Sequence, residues 1–141
     1  MSVYILFSTS WSAQNGGINA INYDLASALN ANAQEIFAIV SDATDSDISD
    51  AARLGVQLRV ASSDYSNLHN WLPALLEDLR PSLNGECLWI GHDTITGGAA
   101  LLARNIVGGK FVLFHHMDYA KYYHLKKKNG EEKISSQKSL L

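Results

Sequence analysis

The chain has a single cysteine and two prolines, and its first 120 residues hold five lysines and arginines against twelve aspartates and glutamates. Each scarcity excludes something. Cys87 has no partner in the chain, so no internal disulfide forms, nothing marks an oxidising compartment, and a cytoplasmic protein is expected. Its five histidines and one cysteine lack C-x-x-C or H-x-x-x-H spacing, so no metal is expected. The acidic body argues against nucleic acid as a partner, because such binding rests on a broad basic surface set against phosphates. No apolar run approaches the roughly 18 residues of a membrane span. The stretch "VYILF" from Val3 is too short for the core of a signal peptide and has no basic residue ahead of it, so no transmembrane segment is expected. Internal repeats, low-complexity blocks and interdomain linkers are likewise missing.

What is present is 47% hydrophobic content in 141 residues, enough for one core and too little for two ordinary domains. Short β-rich apolar runs alternate with segments of helical period, the pattern of a parallel sheet with crossover helices. The strands are expected at Val3–Ser8, Glu35–Ser41, Val56–Ala61, Cys87–Ile90 and Lys110–His115. Between the first two, Ile18, Ile21, Leu25, Ala28 and Leu29 recur at intervals of three and four, which predicts a helix over Gly17–Ala31 with that face on the sheet. A shorter helix over Asp47–Leu54 is opened by the cap-rich "SDATDSDISD" and closed at Gly55. The pattern of Leu68, Trp71, Leu72, Leu75, Leu76 and Leu79 predicts a helix over Ser66–Leu79, with Pro73 near enough to its start to fit and Pro81 ending it. Thr94–Ile106 gives the last, with the small residues "GGAA" where a helix approaches a sheet closely. The fold class is therefore α/β, a Rossmann-like parallel sheet with helices on both faces, over residues 1–125. Residues 126–141 form a basic segment, the start of a helix or a poorly ordered tail, in which Lys126–Lys128 reads as a solvated turn.

In open α/β sheets ligands sit beyond the carboxyl ends of the strands. Three segments meet that condition: "STSWSAQNGG", "GHDTITGG" and "HHMDYAKYY". In the first, Gly16 and Gly17 fall at the entry to a helix whose free N–H groups attract anions, and their missing Cβ atoms let a phosphate approach the backbone. The spacing matches neither G-x-G-x-x-G nor G-x-x-x-x-G-K-[ST]. A tight turn capped by Asn15 accounts for the same residues equally well. In the second, His92 and Asp93 are either ligand contacts or a strand-end residue and a helix cap formed by Asp93 or Thr94. In the third, two histidines and Asp118 follow a wholly apolar strand. Neighbouring residues on a strand point to opposite faces, so at most one of His115 and His116 faces a given pocket.

Three stretches, "GGINAINYDLASALNA", "WIGHDTITGGAALLAR" and "KFVLFHHMDYAKYY", in that order and spacing, resemble the N-terminal domain of GT-B fold glycosyltransferases, particularly retaining family 4. The resemblance covers most of Met1–Tyr123. It implies transfer of a sugar from a nucleotide-sugar donor to an acceptor hydroxyl, with no cofactor. By position, Gly16 and Gly17 are implied at the donor diphosphate and His115 or His116 at the reacting sugar. Asn15, His92, Asp93 and Asp118, with the tyrosines of "DYAKYY", are implied along the cleft and acceptor side. The family's enzymes carry a second, C-terminal Rossmann-like domain with an E-x7-E type motif, for which this chain has no room. The closing "EEKISSQKSLL" resembles the start of a further helix of the same domain, so a fragment, inactive by itself, is expected. A different class of protein fits the same glycine turn: a stand-alone Rossmann or flavodoxin-like module that binds a small phosphorylated ligand.

Overall fold

The computed structural model describes residues 2–11, 17–30 and 35–114. Five strands, β1 (Ser2–Phe7), β2 (Glu35–Val40), β3 (Val56–Val60), β4 (Glu86–His92) and β5 (Lys110–Phe114), form one sheet in the order β3-β2-β1-β4-β5. Every pairing is parallel. Four helices, α1 (Gly17–Asn30), α2 (Asp45–Arg53), α3 (Leu68–Leu79) and α4 (Asp93–Val107), make the crossovers. The architecture is the Rossmann-like α/β sheet that the alternation of strands and helices predicts.

Both faces of the sheet are covered, which is why its central strands read as unbroken apolar runs. In β2 the alternation is visible residue by residue. Ile36 and Ala38 pack with Ala26 of α1 and Ala51 of α2, while Phe37 and Ile39 pack with Leu72 and Leu76 of α3 and Ala99 of α4. Within the second cluster Trp89 is fully buried and satisfies its indole N–H on the Gly108 carbonyl at 2.7 Å.

Local chemistry sets the helix ends. Thr44 and Asp47 form a reciprocal capping box at the start of α2, each side chain accepting from the other's backbone N–H, and Gly55 at φ +78° closes the turn after it. A 3-10 turn over Tyr65–Asn67 leads into α3, and a second over Arg80–Ser82 holds Pro81. Pro73 lies inside α3 rather than in its first turn. It is exposed, and the carbonyl that a proline leaves without a helical partner is that of the equally exposed His69, on the solvent side of the helix. At the end of α4, Gly109 at φ +100° would bring a Cβ to 2.4 Å from the Cys87 carbonyl oxygen, so the turn into β5 needs glycine on both counts.

The largest departure from the predicted pattern is the face of α1. Leu25 and Leu29 pack on the sheet as predicted, but Ile21 and Ala28 are exposed, and the fully buried positions are Asn19, Asn22 and Ala26. The helix is turned so that two asparagines replace aliphatic side chains beneath its first turns. The reason lies in the polar groups that the strand ends present there.

The small residues of α4 act as expected. Ala99, Ala100 and Ala103 are fully buried, and the last turn of β4 lies so close that a Cβ on Gly91 would meet the Thr96 carbonyl oxygen at 2.6 Å and the Gly97 Cα at 2.7 Å. Both obstacles are backbone and cannot rotate away. Gly91→Ala should therefore lower stability by about 1–3 kcal/mol, the usual result of overpacking. Urea denaturation measures it, and an unchanged midpoint would show that α4 can move off the strand freely.

Candidate functional site at the reversal of strand order

The chain leaves β1 for a helix on one face and β4 for a helix on the other, and these two strands are neighbours. Their carboxyl ends therefore diverge into a crevice, the place where ligands bind in open α/β sheets. The register pairs Leu6 with Ile90, so the end of β1 and His92 reach the same level.

A buried polar cluster floors this crevice. His92 is fully buried, and its Nε2 lies 2.5 Å from the Asn22 Oδ1. The Asn22 Nδ2 donates to the Phe7 carbonyl at 3.1 Å. That donation turns the carboxamide oxygen toward the imidazole, so His92 carries its proton on Nε2. The ring is stacked on Phe114 of β5, with centroids 5.4 Å apart and planes 19° from parallel. The His92 backbone N–H donates to the Thr96 Oγ1 at 2.8 Å, and the Thr96 hydroxyl faces the His92 carbonyl at 3.3 Å. One turn nearer the start of α1, Asn19 donates to the Ser10 Oγ at 2.8 Å, and the Ser8 hydroxyl donates to the Ser10 carbonyl at 2.9 Å.

The segment that follows β1 is tied down from its other side as well. The Tyr65 hydroxyl lies 2.8 Å from the Ser8 carbonyl and 2.7 Å from the Ile39 carbonyl, and shares one proton between them. Burial pushes the Tyr65 phenol well above its ordinary range, so it remains a donor. Trp11 is 2% exposed, donates its indole N–H to the Asp50 Oδ2 at 3.0 Å, and lies against the Tyr23 ring at 5.3 Å. Arg53 pairs with the same carboxylate. Arg53 first and Trp11 second hold the Asp50 carboxyl below the usual range.

Residues predicted from sequence are distributed as follows. Gly17 is the first residue of α1 and so lies at the crevice. His92 is present at the end of β4 but has no surface, and its ring is engaged by Asn22 and Phe114. Neither Asp93 nor Thr94 occupies the cap position of α4. That position is His92, Asp93 is the first helical residue, and Thr96 supplies the bond to the cap N–H. Asn15, Gly16, His115, His116 and Asp118 lie outside the described residues. No group of three or more His, Cys, Asp or Glu among the described residues could hold a metal ion. No helix among them is long and apolar enough to cross a membrane.

A family model described as "Family 4 Glycosyltransferase in conflict systems" matches residues 5–140. The chain belongs to that family. No curated protein and no solved structure matches it. For this family 4 glycosyltransferase domain, the residues that sequence reasoning passed over are Asn19 and Asn22. The available signal was their spacing of three, directly after a glycine pair, in a helix where asparagine is a poor former. Their partners are Ser10 and a histidine seventy positions on, which no local pattern displays.

Proposed function

We propose that this domain is the acceptor-side half of a retaining sugar transferase of the cytoplasm. It takes a sugar from a nucleotide-activated donor to an acceptor hydroxyl, with a second Rossmann-like domain holding most of the donor. The observation that carries this reading is the start of α1 at Gly17, directly beyond β1 at the reversal of strand order, in a chain of glycosyltransferase family 4.

The chemistry asks for two things: stabilisation of the diphosphate as it leaves, and an acceptor oxygen held against the anomeric carbon. The N–H groups at the start of a helix, and the positive end of its dipole, suit the first demand without a metal, and glycine at positions 16 and 17 lets the phosphate come close to the backbone. A histidine after β5, His115 or His116, suits the second as a hydrogen-bonding or proton-handling group. Asn15 and Asp118 belong to the acceptor side. His92 serves the crevice from beneath, through Asn22, and Asp93 opens the helix on its other wall.

The test has two arms. With a panel of nucleotide sugars and acceptors, followed by nucleotide release and acceptor mass, the purified chain should give no transfer above the buffer rate. Titrated with a nucleoside diphosphate, it should bind weakly and perturb the amides of Gly17–Asn19. Gly17→Val should weaken that binding roughly tenfold, the worth of one hydrogen bond to a charged group, while the fold persists. Acceptor-dependent transfer by the chain alone would overturn the two-domain reading. Tight binding of a small phosphorylated compound without any nucleotide would instead favour the stand-alone module.

A further inference from the structure

We infer that Asn22 is a positioning residue for the diphosphate end of the donor, an inference that rests on reading the start of α1 as the diphosphate site. Asn22 lies on α1, five residues beyond Gly17, and is 2% exposed. Its carboxamide joins the two strand ends that define the crevice, donating to the Phe7 carbonyl of β1 and accepting from the His92 imidazole of β4. The histidine is itself held on three sides, by the Thr96 hydroxyl at its backbone, by Phe114 against its ring and by Asn22 at Nε2. Pulling on the carboxamide therefore pulls on a fixed point.

Packing alone does not call for this arrangement. A buried carboxamide is unfavourable unless both its ends are bonded, and asparagine is a weak helix former. An aliphatic residue would fill the same volume with fewer demands. Apolar contact, however, is non-directional, whereas the two hydrogen bonds fix both the rotation of α1 and its height above the strand ends. Asn19 repeats the device one turn closer to Gly17 by bonding Ser10. Backbone N–H groups that receive an anion must be placed within about half an ångström to be useful. The tether supplies that placement before any ligand arrives.

The experiment uses the ¹⁵N-labelled chain as wild type, Asn22→Ala, and the double variant Asn22→Leu with His92→Phe. Asn22→Ala leaves a donor on His92 and the Phe7 carbonyl without their partner and should lose stability. The double variant replaces amide and imidazole by apolar groups of similar size, which removes the orphaned imidazole donor and should recover stability. Thermal midpoints, affinities for UDP, GDP and inorganic pyrophosphate, and amide exchange over residues 17–20 are then compared. We expect the double variant to unfold near the wild-type midpoint yet bind the anions roughly five- to tenfold more weakly, with faster exchange at residues 17–20. The wild-type ¹⁵N shifts should report His92 in the Nε2–H form. A double variant with wild-type affinity and exchange, or a His92 in the Nδ1–H form, would reduce Asn22 to a space-filling residue. A wild-type chain that binds none of the three anions would overturn the diphosphate reading itself. The exchange rates would then still decide whether Asn22 holds the start of α1.

Discussion

Trp11→Ala should lower the stability of this domain by about 3–5 kcal/mol, the range for truncating a buried tryptophan. For a chain of 141 residues that is a fall of roughly 10 °C or more in the thermal midpoint. A residue that follows the end of a strand would ordinarily be exposed, yet Trp11 is 2% exposed and belongs to the cluster formed by Leu6, Ala26, Ile36 and Ala51. Its truncation opens a cavity between α1, α2 and the sheet and also removes the donor that Asp50 shares with Arg53. Trp11→Phe separates the two contributions. The phenyl ring keeps most of the buried area and the contact with Tyr23 but loses the indole N–H, so its cost should be near 1 kcal/mol, the net worth of one hydrogen bond. Calorimetry on the two variants measures both. A cost for Trp11→Ala below that of Trp11→Phe would mean that the indole is strained where it lies, and that the segment after β1 is held by its other bonds, to Tyr65, Asn19 and the Ser41 N–H among them.

This anchoring bears on function because Trp11 stands between β1 and the residues proposed to meet the ligand. The fastenings of this segment by side chains come from different parts of the chain, among them Tyr65 at the Ser8 carbonyl, Asn19 at the Ser10 hydroxyl and Asp50 at the indole. A segment fixed in this way need not be ordered by the ligand, so less of the binding energy goes to conformational entropy. The same three residues show what can and cannot be read from sequence. Asp50 was legible as part of a cap-rich acidic run and Tyr65 carried no signal of its own, and their partners lie 39 and 57 positions away.

The elements themselves were legible to within one or two residues because their signals are local. Apolar runs bounded by polar residues located the strands, and leucines at intervals of three and four located α3. Gly55 marked the end of α2, and the cap-rich run before it located the start to within two residues, the cap itself being Thr44. The strand order was not legible, because right-handed crossovers fix the face that each helix covers and are satisfied by more than one order. The orientation of α1 was legible only in part, at Leu25 and Leu29, since the rule that turns aliphatic residues inward assumes that the sheet beneath is apolar throughout. Here it ends in a carbonyl, two serines and a histidine, and these take precedence over Ile21 and Ala28. His92 illustrates the converse. Its place at a ligand edge was readable from the strand pattern, but its burial depends on Phe114 and Asn22, which arrive from β5 and α1.

In a preparation competent for transfer, alanine at one of His115 and His116 should lower turnover by about 10²–10⁴-fold, the contribution of a positioned proton-handling group. Alanine at the other should act mainly on stability. The two histidines follow Phe114 directly in sequence and stand on opposite parities of the strand that precedes them. Within β5 the parities are already divided between the faces of the sheet: Phe111 packs with the α3 and α4 side, whereas Val112 and Phe114 pack with the α1 and α2 side. The register sets Phe114 opposite His92, so β4 and β5 end level with each other. The histidine proposed to act is the one that meets the acceptor oxygen. Removing it should lower kcat with little change in KM, because the donor is held elsewhere and the loss falls on the transition state. Steady-state kinetics on both single variants, with thermal midpoints measured alongside, separates the roles. Unchanged turnover in both would remove histidine from the chemistry and leave the oriented amides of α1 as this domain's contribution to the reaction.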